Sequence, residues 1–378
     1  MATTRRRTTT SRNRRPEGIG PATSTTAAND APDLDLLEAL RQMTLIRLFE
    51  QEAERQYKRA RIGGYCHLAI GQEGATVGAV AAMRPEDKLI TSYRSHGFAL
   101  ARGTSPEAVM AELFGREDGC AAGRGGSMHL LDPGRGYLGG WGIVAGQLPI
   151  AVGVALAAVK QEQELAVVCE LGDGAVNMGA WHEALNLAGI WRLPVVFLVF
   201  NNGYGMGTKV EQASAEPEIH KRAAAFRMTG ERVDGQDVEA VHAASHALLD
   251  AARRERKPAV LEVMTYRLRG HSVADAGTAY RTREEIEEWA EKRDPIALAT
   301  QRLVEAGVAA DELDAVEREA QAAVDAAVAF AEASPQPDPS TLADFVYGDP
   351  HTGEQFSRMG IGSPAGERTV LEQMGAAA

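Results

Sequence analysis

LAVVCELGDGAV at residues 165–176 and VVFLVFNNGYG at residues 195–205 decide the fold of this chain. Each stretch opens with an apolar run, as expected of a strand covered on both faces of a sheet, and each ends in a turn of small polar residues. Between them, Trp181, Leu185 and Ala188 recur at helical spacing. The alternation of strand, helix and strand predicts a parallel sheet, with both turns at the carboxyl ends of their strands.

Further strand and helix patterns extend this unit in both directions. KLITS at residues 88–92 and the apolar run at 259–266 predict two more strands, and helical patterns precede and follow them. We therefore expect an α/β fold, a parallel sheet covered by helices on both faces, with a helical C-terminal extension. The predicted domain spans residues 33–345, between a disordered basic tail at 1–32 and a C-terminal tail at 346–378.

Capping residues and glycines set the expected boundaries of the elements. Asp33 is placed to cap the first long helix, and Thr282 with Glu285 predicts a capping box. Residues 115–146 hold eleven glycines, a density that regular elements tolerate poorly. We expect a long loop there, and long loops inside compact domains are usually functional.

Composition and charge exclude several classes of protein. The 378 residues are 44% hydrophobic and 24% charged, as in soluble enzymes, and no apolar stretch is long enough to span a bilayer. Residues 1–16 hold six arginines and no acid, so the net charge of −12 leaves −18 on the remainder. Such an acidic globule is a poor nucleic-acid binder. The basic tail suits a bacterial, cytoplasmic protein, while a transit peptide, with a mitochondrial matrix location, stays open.

The turn Gly172-Asp173-Gly174 is the first candidate functional site. A nicotinamide-binding turn reads GxGxxG, whereas this run is GDGAVNMG, and an aspartate between the glycines would repel a pyrophosphate. That repulsion becomes attraction if a divalent cation lies between them. Asn202 follows the next strand, so Asp173 and Asn202 offer two oxygens to a Mg²⁺ that takes its other ligands from phosphate.

Motifs on both sides of these turns resemble those of one enzyme family. They are GGYCHLAIGQE at 63–73, ITSYRSHG at 90–97, GRGGSMH at 123–129, GIVAGQ at 142–147, NNGYGMGT at 201–208, RVDGQD at 232–237 and RGHSVAD with YRTREEI within 269–286. From about residue 33 to residue 345 the chain resembles the α subunits of the thiamine-diphosphate-dependent 2-oxo-acid dehydrogenase E1 family, with pyruvate as the favoured 2-oxo acid. The resemblance implies the diphosphate-binding half of a thiamine-diphosphate-binding fold.

The resemblance also implies roles for individual residues. Asp173, the Asn202 side chain and the Tyr204 carbonyl would bind Mg²⁺. The diphosphate would contact Tyr93, Arg94, His271 and the backbone of Gly174 and Ala175. The aminopyrimidine would contact Gly142 and Val144, and pyruvate would contact His67. His67 and His271 are the catalytic candidates, for proton handling or orientation. Ser272 matches a position that is phosphorylated in animal relatives, but Ala279 replaces the second such position, which makes that control doubtful.

By the same resemblance, the protein does not act alone. Its cofactors would be thiamine diphosphate and Mg²⁺, and an E1 β subunit would supply the missing pyrimidine-binding half in an α₂β₂ heterotetramer. The lipoyl domain of an E2 acyltransferase would accept the acetyl unit. The α subunit of an acetoin or branched-chain 2-oxo-acid dehydrogenase stays open as an alternative. A nicotinamide-dependent dehydrogenase lacks its glycine motif here, and a non-catalytic scaffold would be expected to have lost the metal ligands.

Overall fold

The computed structural model describes residues 32–341, and a six-stranded sheet forms their centre. The strands are β1 (Lys88–Ser92), β2 (Tyr137–Trp141), β3 (Val167–Gly172), β4 (Val195–Asn201), β5 (Tyr204–Gly205), β6 (Thr208–Lys209), β7 (Thr229–Asp234) and β8 (Ala259–Met264). Both predicted tails, apart from Pro32, and the predicted domain end at residue 345 lie outside the described residues.

The six longer strands are parallel and lie in the order β2-β1-β3-β4-β8-β7. Strands β3 and β4 pair directly, with Val167 opposite Val195 and Gly172 opposite Phe200. This register places the two polar turns side by side at the carboxyl edge of the sheet, as predicted from the sequence. Strands β5 and β6 form an antiparallel hairpin directly after β4.

Helices cover both faces of the sheet. They are α1 (Leu36–Lys58), α2 (Glu73–Ala81), α3 (His96–Ala101), α4 (Pro106–Leu113), α5 (Gln147–Lys160), α6 (Gly179–Trp191), α7 (Val210–Ala213), α8 (Val238–Glu255), α9 (Arg283–Lys292), α10 (Pro295–Glu305) and α11 (Ala310–Ala333). Asp35, rather than the predicted Asp33, caps α1, because its carboxylate accepts the Glu38 N–H at 3.0 Å. No helix between residues 32 and 341 is long and apolar enough to cross a membrane.

The side chains of β4 show how the core is divided. Val196, Leu198 and Phe200 pack into a larger core with α1, α2, α4, α8 and α11, whereas Phe197 and Val199 enter a smaller core with α5 and α6. Alternate side chains therefore serve two apolar layers, which explains why the strand is apolar at every position before its terminal asparagine. The predicted α/β fold with a helical C-terminal extension is confirmed.

The glycine-rich segment is more regular than its composition suggests. Residues 137–141 form β2, so the prediction of one uninterrupted loop over residues 115–146 was wrong. A Cβ at Gly140 would lie 2.7 Å from Ser95 Oγ. Gly140 is therefore required because the strand packs closely against Ser95, the residue before α3, and not because the chain turns there.

One buried carboxylate fixes the earlier part of the same segment. Glu112 of α4 accepts four backbone hydrogen bonds of 2.7–2.9 Å, from the N–H groups of Ala121, Gly123, Gly125 and Gly126. Cβ atoms at Gly123 and Gly125 would lie 2.8 and 2.3 Å from backbone atoms. The loop therefore takes its shape from backbone groups and not from its side chains.

The predicted capping box before α9 is half formed. Thr282 caps the helix as expected, since its hydroxyl accepts the Glu285 N–H at 3.1 Å. The Glu285 carboxylate instead accepts hydrogen bonds from the hydroxyl groups of Tyr204 and Tyr266 at 3.1 and 2.8 Å. Glu285 thereby links α9 to the turns at the carboxyl edge of the sheet.

Candidate active site

One cavity at the carboxyl edge of the sheet brings together every site residue that the sequence predicts. Its volume is about 560 Å³. Strands β1, β2, β3 and β4 each end beside it, so the residues that follow each strand face the same space. The eleven predicted residues, all of which line it, are His67, Tyr93, Arg94, Gly142, Val144, Asp173, Gly174, Ala175, Asn202, Tyr204 and His271.

The turns after β3 and β4 meet at what we call the floor of the cavity. It consists of Asp173, Asn202 and Tyr204, which line the cavity, and of Arg267, which does not line it but is buried against Asn202 and Tyr204. The two backbones touch, since a Cβ at Gly174 of the first turn would lie 3.3 Å from the Cα atom of the hairpin glycine after Tyr204. Asp173 is 3% exposed. Burial raises the pKa of its carboxyl to about 6, against the opposing effect of the Arg267 charge. A bound cation would remove the cost of ionising this carboxyl, so the group is suited to binding one.

Arg267 is a floor residue that the sequence analysis did not select. Its side chain is buried, and its Nε donates to Asn202 Oδ1 at 3.2 Å. Its Nη2 donates to the carbonyl oxygens of Tyr204 and Met206 at 3.3 and 3.0 Å. The signal that could have revealed it is its place just after β8, the strand that pairs with β4.

The oxygens of the floor suit a hard divalent cation. A carboxylate from Asp173, an amide oxygen from Asn202 and the carbonyl oxygen of Tyr204 are donor types that Mg²⁺ accepts. Within residues 32–341 no group of three or more His, Cys, Asp or Glu side chains could hold a metal. A cation at the floor would therefore complete its shell with phosphate or water oxygens, so the donor set fits a magnesium diphosphate.

His67, Tyr93 and His271 form an aromatic cluster on another wall of the cavity. The ring centroid of His67 lies 4.4 Å from that of Tyr93 and 5.1 Å from that of His271, and the Tyr93 hydroxyl lies 3.4 Å from His271 Nε2. Burial, followed by the charge of Arg94, lowers the pKa of His67 to about 2 and that of His271 to about 4. Both imidazoles are therefore neutral at pH 7. They act as hydrogen-bonding groups rather than as cations.

Arg94 connects two loops that border the cavity. Its Nη1 donates to the Leu68 carbonyl at 2.6 Å and its Nη2 to the His271 carbonyl at 2.9 Å. Burial lowers its pKa to about 10, so the guanidinium remains charged at pH 7. Arg94 thus holds the loop of His271 in place and leaves a positive charge at the wall of the cavity.

Gln147 and Glu170 are among the buried polar residues that line the cavity but were not selected from the sequence. Glu170 Oε2 accepts the Ser92 N–H at 2.7 Å, and burial raises the pKa of this carboxyl to about 7. Gln147 Nε2 donates to the Glu170 carbonyl at 2.9 Å, while its Oε1 is buried without a partner among the described residues. A single glutamate within the apolar run LAVVCEL is the signal that could have indicated Glu170.

The mouth of the cavity is apolar and exposed. We call four residues the rim. Tyr65, Val144 and Met206 line the cavity and are 66, 44 and 64% exposed, and Ile143, which lies between the lining residues Gly142 and Val144, is 74% exposed. Single exposed apolar residues are common, whereas a group of them beside one cavity is a candidate interaction surface.

Comparison with known proteins identifies one family. The model of the family described as "Dehydrogenase E1 component" matches residues 41–340. The chain is 42% identical over 309 residues to the pyruvate dehydrogenase E1 component subunit alpha of Rhizobium meliloti (strain 1021), across 82% of this chain and 88% of that protein. It is 41% identical to the somatic mitochondrial form of this subunit from Homo sapiens and 40% identical to the testis-specific mitochondrial form from Rattus norvegicus. Each of these two alignments covers 329 residues, 87% of this chain and 82% of the relative.

Proposed function

The chain belongs to the dehydrogenase E1 component family, and on that premise we propose that it is the α subunit of a pyruvate dehydrogenase E1 component. This oxidoreductase decarboxylates pyruvate and passes the acetyl unit to the lipoyl domain of an E2 acyltransferase. The observation that carries the proposal is the shared cavity, which eleven predicted residues from six separate segments line together. The three relatives are all named as pyruvate dehydrogenase subunits, which favours pyruvate over acetoin or a branched-chain 2-oxo acid.

The floor and one wall of the cavity are assigned to the cofactor. Thiamine diphosphate, on which this family depends, supplies the electron sink for decarboxylation. Asp173, Asn202 and the Tyr204 carbonyl would hold Mg²⁺. The diphosphate would lie against Tyr93, Arg94 and His271 and the backbone N–H groups of Gly174 and Ala175.

His67 is assigned to pyruvate. Its Nδ1 is buried and has no hydrogen-bond partner among the described residues, and its ring packs against Tyr93 and His271. A neutral imidazole can donate from one nitrogen and accept at the other. We therefore assign His67 to orienting the substrate and holding a proton at a ring nitrogen, with His271 as its neighbour.

The rim is assigned to the E1 β subunit. The turn with Gly142 and Val144 would present backbone groups to the aminopyrimidine, and Tyr65, Ile143 and Met206 lie exposed around it. A β subunit that packs on these apolar residues would close the cavity and exclude water from it. Two such αβ pairs would form the α₂β₂ heterotetramer.

The location of the protein is a separate proposal. The relatives include a bacterial protein and mitochondrial ones. We propose a bacterial cytoplasmic protein, from the composition of the chain. N-terminal sequencing of the native protein tests this, since a start near residue 30 would instead indicate a cleaved transit peptide and the mitochondrial matrix.

The function is tested by 2-oxo-acid-dependent reduction of an artificial electron acceptor. The full chain is assayed with Mg²⁺ and thiamine diphosphate, with and without a candidate E1 β subunit, on pyruvate, a branched-chain 2-oxo acid and acetoin. Activity on pyruvate only when both chains are present supports the proposal. A preference for another substrate would move the protein to a sister complex. A cofactor-loaded heterotetramer that is inactive on all three would contradict the proposed activity.

A further inference from the structure

We propose that Arg267 is a positioning residue for the metal, which orients the Asn202 and Tyr204 oxygens so that they bind Mg²⁺ together with Asp173. The inference rests on the proposed function, because it concerns the cation that would carry the diphosphate. Arg267 itself is not assigned as a metal ligand, since a guanidinium has no acceptor atom to offer.

Three hydrogen bonds join the Arg267 guanidinium to the turn after β4. One edge of its planar guanidinium reaches Asn202 Oδ1 at 3.2 Å and the carbonyl oxygens of Tyr204 and Met206 at 3.3 and 3.0 Å. The fixed angle between these donors also fixes the accepting oxygens relative to one another. Within the turn, Asn202 Oδ1 receives a long contact from the Tyr204 N–H at 3.4 Å, so Arg267 makes the shorter contact with this oxygen. Met206 has a φ of 54°, a left-handed conformation that costs free energy in a residue other than glycine.

The oxygens that Arg267 contacts can still bind a cation. A carbonyl oxygen has two lone pairs, so it can accept one hydrogen bond and ligate a metal through the other lone pair. Residues that orient metal ligands in this way commonly change metal affinity by about 10–100-fold when they are removed. Arg267 is buried, so its guanidinium is held in place by its surroundings.

Charge balance favours an arginine beside a cation site here. The Asp173 carboxylate and a diphosphate together carry more negative charge than one divalent cation neutralises. A buried positive charge would otherwise repel the metal, but at the loaded site it faces a surplus of negative charge.

Two substitutions separate geometry from charge. Arg267→Lys keeps the positive charge and loses the planar fork, whereas Arg267→Gln keeps a donor and loses the charge. Arg253→Lys is the matched control, because Arg253 is also buried and its Nε donates to Asp87 Oδ1 at 3.0 Å. Arg253 does not line the cavity, and its hydrogen bonds do not reach the turn.

The experiment uses the full chain assembled with its β subunit. Thiamine diphosphate binding is titrated at a series of Mg²⁺ concentrations by calorimetry, and Mn²⁺ binding is followed directly by electron paramagnetic resonance. Thermal unfolding checks the folding of each variant, and Arg267→Gln serves if Arg267→Lys does not assemble. We expect both Arg267 variants to raise the half-saturating Mg²⁺ concentration about 10–100-fold. Saturating Mg²⁺ should restore their thiamine diphosphate affinity, and Arg253→Lys should stay within about threefold of wild type.

Three results would overturn the inference. If Arg267→Lys matches wild type, the charge matters and the orientation does not. If saturating Mg²⁺ fails to restore cofactor affinity, Arg267 acts on the diphosphate directly. If neither variant shifts the Mg²⁺ requirement while wild type shows one, Arg267 only supports the fold and the proposed function stands. A wild-type protein without any Mg²⁺ requirement would instead remove the proposed metal site itself.

Discussion

At the floor of the cavity Asp173 and Arg267 are 3% and 1% exposed, whereas at the rim Ile143 and Tyr65 are 74% and 66% exposed. At the floor, hydrogen bonds within the chain join Arg267 to Asn202 and Tyr204. The rim consists of apolar side chains that face outwards. The comparison teaches that hydrogen bonds within this chain fix the polar half of the cavity, whereas the apolar half faces outwards and, under the proposed function, would be covered by the β subunit.

The largest effect should come from removing the floor carboxylate. Asp173→Ala should weaken Mg²⁺-dependent thiamine diphosphate binding by more than about 100-fold, because the site loses its single carboxylate ligand. The chain should stay folded, since burial opposes the ionisation of this group in the folded protein. Calorimetric titration together with thermal unfolding measures both. Unchanged cofactor affinity would remove the floor as the metal site.

The pH dependence of wild-type metal binding gives a second check on the floor. The Asp173 pKa of about 6 means that a proton competes with the cation below that pH. Mn²⁺ binding to the cofactor-free protein should therefore weaken as the pH falls through about 6 and level off above it. A binding curve that is flat from pH 5 to pH 8 would contradict the role of this carboxyl.

At the rim, a charge should disrupt assembly and leave the α subunit intact. Ile143→Asp should weaken association with the β subunit by about 10–100-fold, because an unpaired charge would be buried in an apolar interface. The free energy of unfolding of the chain should change by less than about 0.5 kcal/mol, as for other exposed positions. Analytical ultracentrifugation of the mixed chains gives the affinity. Val304→Asp is the control, since Val304 is 57% exposed on α10 and does not line the cavity. Equal effects of the two substitutions would argue against the rim as the interface.

A moderate effect is expected at His271, between floor and rim. Its pKa of about 4 should rise when thiamine diphosphate binds, because a nearby anion favours the imidazolium. Its contribution to cofactor binding should thus strengthen as the pH falls, opposite in sign to that of Asp173. Titration of labelled histidines by nuclear magnetic resonance measures the shift, with buried His242 of α8 as a histidine whose pKa should not move. His271→Ala should weaken cofactor binding about tenfold. A pKa of His271 that stays constant or falls would contradict the diphosphate contact.

The smallest effect should appear at the C-terminal end of the loop between β8 and α9, which carries His271. Thr282→Ala removes the cap of α9 and should cost about 1 kcal/mol, without changing cofactor affinity at saturating Mg²⁺. Ser105→Ala is the control, because Ser105 caps α4 through the Ala108 N–H at 3.2 Å and lies elsewhere in the fold. Limited proteolysis should cut the loop faster in the first variant only. Equal cleavage of both variants would mean that the cap does not restrain the loop.

The sequence predicts the centre of the sheet well and its two edges poorly. Strands β1, β3, β4 and β8 were recognised, and β1 has the predicted bounds. The two that were missed, β2 and β7, are the outermost strands of the sheet. An edge strand need not be apolar on both faces, so YLGGW and TGERVD carry no strong strand pattern, and only pairing with a neighbour reveals them.

The residues of the cavity also differ in how well the sequence predicts them. Asp173 and Asn202 can be placed from the sequence because each follows a buried strand of recognisable pattern. Arg267 and Glu170 could not be placed in this way. The role of an arginine in a loop or of a glutamate in a strand is defined by its tertiary contacts, which the sequence does not show. The hydrogen bonds from Arg267 to the turn after β4 join residues about 60 positions apart, a relation that no local pattern contains.

The loop that is hydrogen-bonded to Glu112 offers a position at which the protein can be labelled. The carboxylate recognises only backbone N–H groups, so the loop conformation does not depend on which side chain stands at its outermost position. Ala122 is exposed and has a φ of 56°, and it lies next to Gly123, where a Cβ would be 2.8 Å from backbone atoms. A cysteine at this position, coupled to a fluorophore, would report on the arrival of a partner chain or a lipoyl domain from a site that leaves the chemistry of the cavity untouched.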